Sequence, residues 1–169
     1  MSRGTRWLPL VLVGLWVGLD FALKGWSLGH LEPGHPQPLA PGVLSLALGF
    51  NPGAAWGLLS GQTGLLVLVR LGVGLALLGY LAWKAPPPAA GVALSLIAGG
   101  ALGNGLDQLV DGTVVDMLYS HTLSVLTRSL YGQDYPVFNL ADVWLVSGVV
   151  LLLVPRARPV RWKEDRHGR

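Results

Sequence analysis

The chain has 169 residues, 51% of them hydrophobic and only 12% charged, with a formal net charge of +3 and a mean hydropathy of +0.52. Soluble domains carry about 25% charged residues, so a chain this poor in charge cannot clothe a globular surface; a soluble enzyme is excluded and a membrane protein expected. The absence of cysteine removes disulfide frameworks, zinc–thiolate sites, iron–sulfur clusters and cysteine nucleophiles.

Four apolar stretches reach or approach the roughly 20 residues needed to cross a bilayer. The first, Trp7 to about Leu23, is interrupted late by Asp20. Arg3 and Arg6 precede it, but no small-x-small cleavage site follows, so it reads as a retained helix and not a signal peptide. Asp20 and Lys24 lie four apart on one helical face and can pair, as a structural salt bridge or as part of a site. In the segment that follows, Pro33 to Pro41 reads as an extended loop and Val43 to Phe50 as a strand bounded by Gly and Pro.

The second span, Leu65 to Trp83, carries Arg70, whose long side chain is expected to snorkel to the headgroups. A turn through Lys84-Ala85-Pro86-Pro87-Pro88 leads to the third span, Ala89 to Leu106, which is free of charge. Its end offers Gly99 and Gly103 as a small-xxx-small packing face, and Asn104 and Asp107 three apart on one side. A glycine packing face with an asparagine bonding between helices explains these residues without any chemistry. Gly112 to Asp116 is β-branched and extended in pattern, and the residues from Met117 to Pro136 carry apolar positions at Leu118, Leu123, Leu126 and Leu130. They are expected to form an amphipathic helix lying on the membrane as a lid. The fourth span, Val137 to Val154, contains Asn139 and Asp142 on one face, with Asp142 about 7–8 Å inside its start.

Of the 12 Lys and Arg, the two at Arg3 and Arg6, Lys84, and the six from Arg156 to Arg169 fall on one side of a four-span chain. Cationic ends mark the cytoplasmic side, so both termini are expected there, with segments of about 28–64 and 107–136 facing outward. The chain divides into a membrane domain, 1–155, and a basic tail, 156–169, read as a topology anchor for anionic lipid and not as a nucleic-acid binder. Trp7 and Trp83 read as interfacial belt residues, and His30, His35, His121 and His167 as solvated loop or tail residues.

Ionisable residues within spans are expensive and point to function. Two carboxyl groups a few ångströms apart cannot easily both ionise, so one keeps a proton; such a pair can activate water and protonate a carbonyl without metal or covalent intermediate. Spacing alone leaves the pairing of Asp116 with Asp142 as one choice among several aspartates. A small proton or ion transporter using Asp20, Asp107 and Asp142 is the alternative, but it would distribute acids through the depth of the bundle. A non-catalytic membrane scaffold is a third reading.

Four blocks in order resemble the lipoprotein signal peptidases (signal peptidase II), bacterial intramembrane aspartyl proteases. Asp20-Phe21-Ala22-Leu23-Lys24 is similar to the family's D-x-x-x-K element, and Asn51-Pro52-Gly53-Ala54-Ala55-Trp56-Gly57 to N-x-G-A-A-[FW]. Gly99 to Asp107 followed by Gly112 to Asp116 resembles G-G-x-x-G-N-x-x-D…G-x-V-x-D, and Phe138-Asn139-Leu140-Ala141-Asp142 is similar to F-N-x-A-D. The resemblance implies that Asp116 and Asp142 are the catalytic pair, with Asn51, Gly53, Ala54, Asn104, Asp107 and Asn139 supporting or lining the site and Asp20 and Lys24 as structural neighbours. It implies an enzyme with no metal or other cofactor, expected to be monomeric, in the bacterial cytoplasmic (inner) membrane with its site at the outer face. Its partners would be membrane lipid and a prolipoprotein, cut just before a diacylglyceryl-modified cysteine. The fold implied is an all-α membrane protein of four transmembrane helices with a small extracytoplasmic β element and an amphipathic lid helix. One position departs from the pattern: Gln108 stands where the family usually has Arg after the third-block aspartate. That puts substrate holding in doubt unless Arg70 or Arg128 substitutes, and leaves a degenerate or altered-specificity member as the alternative.

Overall fold

The computed structural model describes residues 6–54, 56, 58, 59 and 61–154. The expectations placed on Arg3, Ala55, Gly57, His167 and the basic tail 156–169 lie outside the described residues. Helix α1 spans Leu8–His30, β1 Gln37–Ala40, β2 Leu44–Asn51, α2 Thr63–Lys84, α3 Pro88–Asp111, β3 Val114–Ser120, α4 His121–Tyr131 and α5 Leu140–Leu153.

Three of these helices, α1, α2 and α3, are long and apolar enough to cross a membrane. Helix α5 is apolar too, but its 14 residues span about 21 Å at 1.5 Å per residue, short of a hydrocarbon core of about 30 Å. The helix begins at Leu140, three residues into the apolar stretch expected as the fourth span. Phe138 forms a bridge with Leu118 of β3, and Asn139 caps α5 by accepting from Asp142 N at 3.0 Å. Asp142 therefore sits about 3 Å along the helix from Leu140, nearer the end than a helix from Val137 would put it.

Helix α3 is the axle of the bundle, packed by α1, α2 and α5. Its glycines explain how: a β-carbon at Gly99 would lie 2.7 Å from Trp16 Cβ and one at Gly103 2.8 Å from Asp20 Oδ2, both on α1. A β-carbon at Gly100 would run into the Ala141 carbonyl of α5, and one at Gly105 would stand 2.7 Å from Leu71 of α2. With no lipid-excluded hydrophobic drive between helices in a bilayer, such close approach supplies the packing. Val13, Leu81, Ala98 and Leu102 form the bundle's apolar core. Helix α2 closes with Ala85 in the left-handed region (φ 44°), and α3 starts at Pro88, where the missing N–H costs nothing.

The strands form one antiparallel sheet in the order β1-β2-β3. The stretch read as an extended loop, Pro33 to Pro41, contains β1, which Leu44–Asn51 recruits as an edge strand; four residues carry too little periodicity to announce it. Between the pairs Leu46↔Leu118 and Gly49↔Asp116 the register shifts by a bulge, a device that re-aims a side chain beside a site. Leu31, Leu48, Val115 and Met117 form a second apolar cluster under the sheet. The amphipathic helix over 117–136 is shorter than expected: Met117 to Ser120 belong to β3, and α4 begins at His121 with Ser120 as its cap. Leu118 is thus a strand residue, outside the helical stripe of Leu123, Leu126 and Leu130.

Candidate functional site

The polar residues of the four blocks converge where α1, α3, β3 and α5 meet. Lys24, 2% exposed, sits at the centre. Its ammonium lies 2.8 Å from Asp20 Oδ2 and 3.2 Å from Asp107 Oδ2, and donates to Asn104 Oδ1 at 3.1 Å. The buried ammonium is thus paired with two carboxylates and hydrogen-bonded to one amide oxygen, the compensation that burial of a charge requires. The two carboxylates also hold backbone: Asp20 Oδ1 accepts from Ala141 N at 2.9 Å, at the start of α5, and Asp107 Oδ2 accepts from Val115 N at 2.7 Å, in β3.

Two asparagines carry this framework outward to Asp116 and Asp142. Asn104 Nδ2 donates to Asp142 Oδ1 at 2.8 Å. Asn139 Nδ2 donates to Asn104 Oδ1 at 2.9 Å, to Asp116 Oδ1 at 2.6 Å and to Val115 O at 3.3 Å. Asp142 Oδ2 accepts from Asn139 N at 3.2 Å, completing a capping box that fixes its rotamer. Asp116 and Asp142 thus belong to one network and line one cavity of about 190 Å³, with Asn51, Arg70, Asn104, Val114, Tyr135 and Pro136 among its walls. An adjoining cavity of about 410 Å³ shares Asn51, Asp116, Pro136 and Val137 and extends over Phe50, Trp56 and Gln133.

Burial, with the charge of Asp142 nearby, pushes the Asp116 carboxyl up to about 7. The unfolded-chain value is about 3.9, so the folded chain keeps a proton that the unfolded chain releases between about pH 4 and 7. This contribution to stability is present below about pH 4 and is lost as pH rises to about 7. Asp142→Asn removes one of the two raising causes; Asp116 in that variant is expected to titrate below 7, followed by its carboxyl infrared band. A band titrating at or above 7 would show that Asp142 exerts no such field.

Of the residues anticipated for the site, Asn51, Asn104, Asp116 and Asp142 line the cavity, and Asp20, Lys24, Asp107 and Asn139 belong to the hydrogen-bond and ion-pair network beside it. Gly53 and Ala54 line neither cavity: Gly53 N donates to Asn51 Oδ1 at 2.9 Å, and Ala54 N to Leu58 O at 2.7 Å. Lys24, expected to be a neighbour, touches Asn104 directly. Arg70 does not snorkel: its guanidinium donates to the Gln108 side chain and to Gly53 O at 3.1 Å. Paired acceptors inside the protein outcompete the headgroup route. Arg128 instead pairs with Asp134 on the exposed side of α4. His121 is partly buried and bonded to Ser45 Oγ at 2.8 Å, so it is not a solvated residue; His30 is exposed as expected, but in the last turn of α1 and not in a loop. Tyr135 was not anticipated. It lines the cavity and meets Trp56 edge-on at 5.5 Å, and its place before Pro136 biases it to an extended loop without marking a role.

A family model described as "Signal peptidase (SPase) II" matches residues 12–157. The chain is similar to the lipoprotein signal peptidase of Deinococcus radiodurans, 46% identical over 159 residues covering 94% of this chain and 83% of that one. It is 33% identical to the lipoprotein signal peptidase of Lactococcus lactis over 147 residues, covering 87% and 91%. A solved structure titled a bacterial membrane enzyme superposes with a TM-score of 0.74 at 29% identity, covering 91% of this chain and 88% of that one.

Proposed function

The chain belongs to the signal peptidase II family, and from that membership we propose that it removes the signal peptide from diacylglyceryl-modified prolipoproteins, cutting just before the modified cysteine. The observation that carries the chemistry is the network Asp116–Asn139–Asn104–Asp142 at a shared cavity. The pair acts as one coupled acid–base unit holding a single proton. One carboxylate takes a proton from water as it attacks the scissile carbonyl, and the other gives its proton to the carbonyl oxygen. When the tetrahedral intermediate collapses, the C–N bond breaks, the proton taken from water passes to the leaving nitrogen, and one hydroxyl proton of the intermediate returns to the second carboxylate as the C=O re-forms. No metal or covalent intermediate takes part.

In this reading α1, α2, α3 and the segment 137–154 cross the inner membrane of a bacterium as a monomer. Both termini are cytoplasmic, and the sheet lies on the outer side. The cation bias of the sequence supports this orientation, and the position of Asp142 near the start of α5 suits a bond cut at the outer leaflet. A cleft of about 190 Å³ between α4 and α5, lined by Leu123, Phe138, Asp142, Val143 and Val146 among others, is apolar enough for an acyl chain to lie beside Asp142. Helix α4, with Leu126 and Leu130 exposed, acts as the lid. Leu126→Glu would place a charge on its membrane face and is expected to slow turnover of bilayer-embedded substrate several-fold while sparing a detergent-solubilised one. Unchanged kinetics on both would remove the lid from the account. The function itself is tested by incubating purified protein with a diacylglyceryl-modified prolipoprotein and with its unmodified form. Release of the signal peptide from the modified form alone is expected, and no release from either would refute the reading.

A further inference from the structure

Each aspartate of the proposed pair has an asparagine beside it: Asn104 donates to Asp142, and Asn51 lines both cavities together with Asp116. Behind Asn104 stands a cation, Lys24, donating to its Oδ1 at 3.1 Å. Behind Asn51 a second cation works at one remove. Asn51 Oδ1 accepts from Gly53 N at 2.9 Å, an Asx turn that leaves Nδ2 as the donor available to Asp116. That turn is clamped from α2 and α3: Arg70 donates to Gly53 O at 3.1 Å, Gln108 Nε2 to Pro52 O at 3.1 Å, and Arg70 to Gln108 Oε1. Gln108 is 1% exposed, so its amide is fully committed to this clamp.

We propose that Arg70 is a positioning residue for peptide cleavage, acting with Gln108 through the Asn51–Gly53 turn to hold Asn51 against Asp116. The inference rests on the reading of Asp116 and Asp142 as the reacting pair. A guanidinium can bond two acceptors at once in a fixed plane, which an ammonium cannot, so the clamp requires Arg and not merely a cation. Gln108 then fills a defined mechanical role in this chain, and the turn is aligned from two helices that do not themselves carry the reacting groups.

The test compares Arg70→Gln, Arg70→Lys, Asn51→Ala and the double variant Arg70→Gln/Asn51→Ala in detergent, with Asp116→Asn in parallel. Misplacement of a supporting group costs up to about 100-fold. Arg70→Gln is expected to lower kcat about 10- to 100-fold with KM little changed, and Arg70→Lys about tenfold. The double variant should be no worse than Asn51→Ala, because Arg70 acts through Asn51. Losing the Asn51 donor disfavours the charged form of Asp116, so the alkaline limb of the pH–rate profile should move upward in Asn51→Ala and also in Arg70→Lys, which keeps a positive charge at the cavity and loses only the planar clamp. Wild-type kcat in Arg70→Gln, an unmoved limb in Arg70→Lys, or losses that multiply in the double variant, would overturn the inference. Should Arg70→Gln lack a cooperative thermal transition, Arg70→Lys decides in its place: wild-type kcat there overturns the proposal. Cleavage by Asp116→Asn at the wild-type rate would instead show that the underlying reading has failed.

Discussion

Asp116→Asn and Asp142→Asn are each expected to reduce cleavage of a modified prolipoprotein by about 10³-fold or more, the upper part of the range for losing a positioned acid or base. The amide keeps the size of the side chain; at Asp116 its oxygen can still accept from Asn139 Nδ2, whereas at Asp142, both of whose oxygens accept from N–H groups, one bond is lost as well. What it loses is the exchangeable proton. Because the two groups act as a unit, the double variant should be little worse than either single one. EDTA should leave the wild-type rate unchanged. In the wild type, activity should fall as pH rises through about 7, where Asp116 gives up its proton, because a doubly ionised pair has no acid to offer the carbonyl. Either variant retaining activity within tenfold of wild type would refute the assignment, and inhibition by EDTA would refute the metal-free mechanism.

Lys24→Met is expected to be the most destabilising single substitution among the site residues. The ammonium is the shared partner of Asp20 and Asp107, and removing one member of a buried ionic cluster leaves uncompensated charge at a cost of about 3–5 kcal/mol. The damage should spread along the hydrogen bonds. Asp20 fastens Ala141 of α5 and Asp107 fastens Val115 of β3, so both reacting groups lose their anchors, and Asn104 loses the donor that orients it toward Asp142. Thermal unfolding in detergent measures the first effect and cleavage the second. Adding Asp20→Leu to Lys24→Met should recover part of the lost stability, since one of the stranded carboxylates is gone. A single variant with a wild-type transition would mean that Lys24 is not holding the cluster together. A double variant less stable than the single would mean that Asp20 is held by something else.

Much of this protein was legible in one dimension. Membrane burial follows from composition, because apolar helices satisfy their own backbone and need no partner to be recognised. The motif residues were visible too: Asp20 with Lys24, and Asn139 with Asp142, are three or four apart, and helix periodicity puts such pairs on one face whatever surrounds them. The four blocks in order then indicated the family.

What the sequence could not determine is everything carried by contacts between distant segments. Asp116 lies on a strand whose register with β2 includes a bulge, and no local pattern says that it will share a cavity with Asp142, 26 residues on. Arg70 looked like a snorkelling residue because its acceptors, Gly53 O and Gln108, are 17 and 38 residues away. The same limit applies to α5, whose first turn is delayed by the Phe138–Leu118 bridge and the Asn139 cap. Local periodicity reports how a residue relates to its own helix or strand. Which buried charge faces which, and therefore whether an aspartate keeps its proton, depends on the low-dielectric neighbourhood that only the assembled bundle and sheet create.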